Sequence, residues 1–254
     1  MINRPLIFAH RGASGYKPEN SFEAFELALK LEADGFECDI QLSKDNIPLL
    51  WHDDDLERLK KPGQTIRNFS WDEVQNFDIS CLKENHQGQS KVLDFNTYLQ
   101  SFSSQTKLLI EIKWDEIAAF EHQKEVVDFT INSIIQNHSL DSKPFISSFD
   151  SKSVIYAHEL YKDARYIINE HEKITRHEVE DFYKKMPFLT GICLNIEHLS
   201  EDVCNAAREF NWLVCTYTCN TQDDFLKAAK NKVDIIISDF PDKTKMFFEG
   251  SLTH

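Results

Sequence analysis

Residues 35–53, GFECDIQLSKDNIPLLWHD, hold two β-rich runs, Phe36–Gln41 and Pro48–His52, with only Leu42–Ile47 between them. That link is too short for the crossover helix that parallel neighbours need. Lys44, Asp45 and Asn46 are good turn residues, so a tight excursion is expected. If the two runs pair about it, Glu37 and Asp39 come close to His52. Side chains alternate along a strand. Glu37 and Asp39 therefore share one face, while Phe36, Cys38 and Ile40 share the other, as an outer face packed by helices requires.

Outward from this stretch, short β-rich runs alternate with helix-period segments. The other candidate strands are Leu6–His10, Leu108–Lys113, Phe145–Phe149, Arg165–Ile168, Ile192–Asn195, Leu213–Thr218 and Val233–Asp239. Amphipathic stretches such as Ser21–Glu32, Ala118–Asn137, Glu201–Phe210 and Gln222–Lys230 lie between them. Such alternation predicts a parallel sheet covered by helices. A chain of 254 residues suits a (β/α)8 TIM-type barrel. Nine candidates for eight barrel positions leave one run surplus, and periodicity does not say which. A doubly wound open sheet is the alternative, but no G-x-G-x-x-G or P-loop follows any strand. Asp54–Val92 is polar and weakly periodic, which suggests a small insertion over the barrel mouth with a helix near Trp71–Phe77. No linker or repeat interrupts the rest, so a single domain over residues 1–254 is expected.

Composition narrows the function. With 42 acidic and 28 basic residues, the net charge is −14. Nucleic-acid binding needs a basic face, and an anionic membrane surface would repel such a chain. An anionic ligand would need local cations to override the overall field. No apolar run approaches the roughly 18 residues of a membrane span. The N-terminal MINRPLIFAHRG enters a strand at once, unlike a signal peptide. Six cysteines occur without a C-x-x-C pair; Cys215 and Cys219 would lie about 13 Å apart along one strand, too far to bridge. Buried, reduced thiols in a cytoplasmic protein are expected.

Barrel enzymes carry their chemistry at the C-terminal ends of the strands. Those ends read His10-Arg11-Gly12, Glu37 and Asp39, His52-Asp53, Glu111 and Lys113, Ser148-Phe149, and Asp239. Glu111 and Lys113 repeat the i, i+2 arrangement of Glu37 and Asp39. Three inward carboxylates are costly without a cation between them. With no Cys or His in the set, a hard ion such as Mg²⁺ or Ca²⁺ fits. Arg11 has the planar fork that grips phosphate oxygens, and Gly12 permits a sharp turn or close backbone approach. His10 and His52 are the candidate general acid–base pair, because histidine as a residue type exchanges protons near neutral pH. Asn20 or Ser21 should cap the helix that follows, and Glu19 and Asn20 could also order the metal or the His10 loop. His171-Glu172 and His177-Glu178 do not form H-E-x-x-H, since Thr175 stands between them. Asn68-Phe69-Ser70 and Asn137-His138-Ser139 match a glycosylation pattern with little meaning outside secretion, and Lys60-Lys61 and Lys184-Lys185 read as solvated charge.

Taken in order, AHRG at Ala9–Gly12, PENS at Pro18–Ser21, Ala24-Phe25, GFECDIQLSKD at Gly35–Asp45, PLLWHD at Pro48–Asp53, IEIK at Ile110–Lys113, SSFD at Ser147–Asp150 and IIISDFP at Ile235–Pro241 resemble the glycerophosphodiester phosphodiesterase family. The resemblance implies a (β/α)8 barrel with a divalent cation on Glu37, Asp39 and Glu111. It implies Arg11 and Lys113 on phosphate, and His10 and His52 as general base and acid in an order left open. The implied reaction deprotonates the glycerol 2-hydroxyl, which attacks phosphorus and expels the head-group alcohol. The cyclic phosphate is then hydrolysed to glycerol 3-phosphate, and the partner is a small-molecule glycerophosphodiester. Tyr217-Thr218-Cys219-Asn220 departs from the family's Trp-Thr-x-Asn, so Tyr217 would reshape the wall for glycerol or head group. Asn231-Lys232-Val233-Asp234 stands where the family usually has glycines. The rival readings are a phosphatidylinositol phospholipase C-like or sphingomyelinase D-like lipid phosphodiesterase, and a non-catalytic phosphoester-binding barrel.

Overall fold

The surplus strand is the return arm of the 35–53 hairpin. A computed structural model describes residues 4–114, 120–137, 140 and 142–250; the expected helix start at Ala118 and His138-Ser139 of the second sequon lie outside these. The strands are β1 (Leu6–His10), β2 (Gly35–Leu42), β3 (Pro48–Leu50), β4 (Lys107–Ile112), β5 (Phe145–Ser148), β6 (Arg165–Glu170), β7 (Gly191–Asn195), β8 (Leu213–Tyr217) and β9 (Ile235–Ser238). Eight run parallel in the order β1-β9-β8-β7-β6-β5-β4-β2, and β1 pairs with β2 to close the barrel. β3 alone is antiparallel, with Ile40 opposite Leu50 and Leu42 opposite Pro48. It stops two residues earlier than the sequence suggests, so His52 lies beyond it, outside any strand or helix.

The helices are α1 (Phe22–Lys30), α2 (Trp71–Val74), α3 (Phe95–Phe102), α4 (Phe120–Gln136), α5 (Ser151–Leu160), α6 (Arg176–Lys185), α7 (Glu201–Glu209), α8 (Gln222–Lys230) and α9 (Pro241–Phe248). Among the described residues none is long and apolar enough to cross a membrane. Strand alternation divides the apolar residues into two layers. Phe8, Leu109, Phe145, Ile167, Cys193, Cys215, Ile235 and Ile237 form an inner cluster. Phe36, Cys38, Ile40, Ile110 and Ile146 belong to the outer cluster with the helices. There Phe25 of α1, Phe36 of β2 and Tyr98 and Phe102 of α3 lie ring to ring, 4.7–5.8 Å apart. Full burial of each such ring contributes about 2 kcal/mol or more.

Residues 54–92 form the expected insertion around an apolar cluster of their own, in which Leu56, Ile66, Val74, Ile79 and Val92 pack with Leu49 and Trp51 of the hairpin arm. Its helix is shorter than expected, a single turn over Trp71–Val74. Five cysteines are buried as expected, but Cys81 of the insertion is exposed, because this small cluster covers too little of the segment. Lys61 is not simply solvated either: its Nζ lies 4.7 Å from the Phe77 ring centroid.

Ser21 caps α1 by accepting from the Ala24 amide. Just before it, Gly12 has φ +79°, and a Cβ there would sit 2.6 Å from the Ala24 backbone. Gly12→Ala is expected to lower stability by about 2 kcal/mol or more, a drop of about 4–8 °C in Tm. An unchanged thermal melt would show that this turn tolerates a side chain.

Candidate active site

Register assembles the site. Parallel pairing sets His10 beside Glu37 and Asp39 beside Glu111, so inward residues of β1, β2 and β4 meet at one end of the barrel. Carboxylate oxygens of Glu37, Asp39 and Glu111 all lie within 4.8 Å of one another. The expected cations are with them: Arg11 Nε is 3.1 Å from Asp39 and Lys113 Nζ is 3.2 Å from Glu111 and 4.0 Å from Asp39. The Arg11 amide donates to Glu37 at 3.0 Å, a contact made possible by the left-handed turn at Arg11 (φ +54°) and Gly12.

Two amides complete the cluster. Asn20 Nδ2 donates to Asp39 at 2.9 Å, and Asn169 Nδ2 to Glu111 at 3.0 Å. Asn20 therefore does more than precede a helix: its backbone amide also donates to the Arg11 carbonyl, ordering the His10 loop. Each of these side chains keeps its carbonyl oxygen buried and without a hydrogen-bond partner.

Three carboxylates face two cations, so with all three ionised the cluster would carry more negative charge than its own residues neutralise. Burial, with Asp39 and Glu111 nearby, pushes the Glu37 carboxyl far up. Burial also acts on Asp39, but Arg11 and Lys113 overcome it and hold that carboxyl below its usual range. An oxygen-only donor set with a charge deficit and two open amide oxygens fits a hard divalent cation.

Each histidine is held by a carboxylate. His10 Nδ1 is 2.6 Å from Asp239, at the end of β9, and His52 Nδ1 is 3.0 Å from Asp53. A carboxylate partner fixes the proton on Nδ1 and leaves Nε2 for a ligand. Asp239 also accepts from Asn220 at 2.6 Å and Ser14 at 2.9 Å. Burial would raise its pKa, but His10, Asn220 and Ser14 hold it at about 2. Asp53, likewise resisting burial through His52 and Arg58, sits at about 2. Arg58 Nε is 2.5 Å from Asp53 and its Nη2 is 2.7 Å from Glu19, which also binds Arg11 at 3.1 Å. Glu19, His52 and Asp53 cluster closely enough to suggest a second cation site, but the Arg58 guanidinium already joins the two carboxylates.

One pocket is lined by His10, Arg11, Glu37, Asp39, His52 and Glu111, with Phe149, Asn169 and Tyr217 on its far wall. Lys113 reaches the cluster from the side, and Tyr217 packs edge-on to Phe149 with its hydroxyl on the Glu170 carbonyl. Ser148 does not face this pocket; it donates to the Ile112 carbonyl, and Ser147 takes its place. His171 and His177 are exposed and do not line it. Arg58 and Asn169 belong to the site although no motif marks them. Counting inward positions from Ile167 would have found Asn169; nothing periodic marks Arg58.

A parallel barrel with paired acids, bases and cations at the C-terminal mouth is the layout of a barrel enzyme. The chain matches the glycerophosphoryl diester phosphodiesterase family over residues 10–243 and belongs to it. The protein YhdW of Bacillus subtilis (strain 168) is 28% identical over 243 residues, 93% of this chain and 95% of that protein. A glycerophosphodiester phosphodiesterase of Bacillus altitudinis is 26% identical over 239 residues, with 93% and 95% covered. A phosphodiesterase of Oleispira antarctica, solved with its product sn-glycerol-3-phosphate, superposes with a TM-score of 0.85 at 21% identity, over 96% of this chain and 97% of that one.

Asp239, depressed from an ordinary 3.8 to about 2, contributes charge-linked stability that is fully present above pH 4 and lost as pH falls through 2. The gap in urea midpoint between the wild type and Asp239→Asn should therefore be widest near pH 6 and shrink toward pH 2. A gap that stays constant would show that the Asp239 charge is not coupled to folding.

Proposed function

We propose that this protein hydrolyses glycerophosphodiesters to glycerol 3-phosphate and an alcohol, with Mg²⁺ or Ca²⁺ held by Glu37, Asp39 and Glu111. The observation that carries this reading is the uncompensated carboxylate cluster sharing one pocket with two carboxylate-held histidines. When bound, the cation neutralises phosphate charge and acidifies the attacking hydroxyl. Arg11 and Lys113 orient the phosphate oxygens from either side of Asp39. One histidine Nε2 takes the proton of the glycerol 2-hydroxyl, and the other gives a proton to the departing head-group oxygen. In the second half-reaction the two exchange roles, and water opens the cyclic phosphate. Asp239 and Asp53 keep each ring in the productive tautomer and stabilise its charged form. Tyr217 and Phe149 wall the pocket against the organic part of the substrate.

Membership of the family supports the reaction, and the product in the Oleispira antarctica neighbour is the one this reading yields. All six cysteines are free thiols, which suits a reducing compartment, so a cytoplasmic location belongs to the same reading.

Glycerophosphocholine or glycerophosphoethanolamine with Mg²⁺ or Ca²⁺ is expected to give glycerol 3-phosphate, and EDTA to abolish the reaction. Activity on lysolipid or phosphoinositide alone would move the assignment to a lipid phosphodiesterase, and ligand binding without turnover to a binding protein. His52→Ala should lower kcat about 100-fold or more while metal binding, followed by calorimetry, persists. Undiminished turnover would remove His52 from the mechanism.

A further inference from the structure

A second pocket opens on the far side of Lys113, lined by Gln41, Asp54, Thr65, Arg67, Lys113 and Trp114. It joins the ends of β2 and β4 to the insertion. Lys113 lines it and also contacts Glu111 and Asp39, so this one side chain links the carboxylate cluster to the second pocket. Gln41 Nε2 stiffens the floor by donating to the carbonyls of Trp51, His52 and Asp53 at 2.8–3.2 Å.

The charges in this pocket are unequal in availability. Lys113 is engaged by two carboxylates, and Arg67 Nη2 binds Glu125 at 2.7 Å. Asp54 is exposed and makes no hydrogen bond or ion pair among the described residues. Its companion is Trp114, whose large ring remains 37% exposed. A carboxylate with no partner and an accessible indole are what an organic cation needs, by charge attraction and by cation–π contact. The overall charge of −14 acts in the same sense. It repels a diester with a neutral head group, which is a net anion, more than one whose head group carries a compensating positive charge.

We propose that this pocket is a head-group site that selects phosphodiesters bearing an ammonium or quaternary ammonium group. The proposal rests on the phosphodiesterase reading above, and its test separates the two. The measurement is the ratio of kcat/KM for glycerophosphocholine to that for glycerophosphoglycerol, which cancels any difference in the fraction of folded enzyme. The wild type should favour the choline ester, and Trp114→Leu and Asp54→Asn should each lower the ratio about 5-fold or more, mainly through KM for the choline ester. Trp114→Phe should keep part of the preference. A wild-type preference for glycerophosphoglycerol, or a ratio unmoved in both variants, overturns the proposal. Choline alone gives a readout independent of turnover: saturable quenching of tryptophan fluorescence in the wild type, lost in Trp114→Leu. If no head group is hydrolysed but this quenching is seen, the phosphodiesterase reading fails and the cation site stands. If choline gives no saturable quenching, the site is refuted whatever the enzyme turns over.

Discussion

Asp39 is the residue on which the rest of the site turns. It is 1% exposed and meets Arg11, Lys113 and Asn20 with its two oxygens. Burying one carboxylate is expensive, and burying three together is worse by their mutual repulsion. The barrel offsets this by bringing a cation from each flanking strand end to Asp39, on which Arg11 and Lys113 converge. With all three carboxylates ionised the cluster would still be one positive charge short, which is the setting a divalent cation would suit.

The hairpin solves a second problem. A parallel barrel strand delivers side chains to the mouth only once, at its C-terminal end. By folding back antiparallel on β2, the chain passes the same carboxylates again and leaves His52 beside them. His10 comes from a neighbouring strand, so two histidines with different carboxylate partners share one pocket. Their settings differ. Asp239 receives only neutral donors besides His10, whereas Asp53 shares its charge with Arg58. The two rings therefore sit against carboxylates with unlike surroundings.

Arg58 also explains how the insertion is anchored. Residues 54–92 pack mainly on themselves and on Leu49 and Trp51, and the guanidinium of Arg58 fastens their start to Glu19 and Asp53 at the mouth. A polar clamp suits this position, because it fixes the insertion beside the pocket without covering it with apolar surface.

Local pattern alone carried much of this into view. Alternation of strands and helices, the shared face of Glu37 and Asp39, the turn at Lys44–Asn46 and the order of the motifs follow from short-range sterics and side-chain periodicity, which the chain expresses residue by residue. Tertiary structure decided what depends on closure and register. It selected β3 as the strand outside the barrel, turned Ser147 rather than Ser148 inward, brought Asp239 to His10 across 229 residues of chain, and set Arg58 and Asn169 against carboxylates far from them in sequence. The reason is physical: partners of a buried charge are chosen by where the barrel's register places them, and no local period encodes that placement.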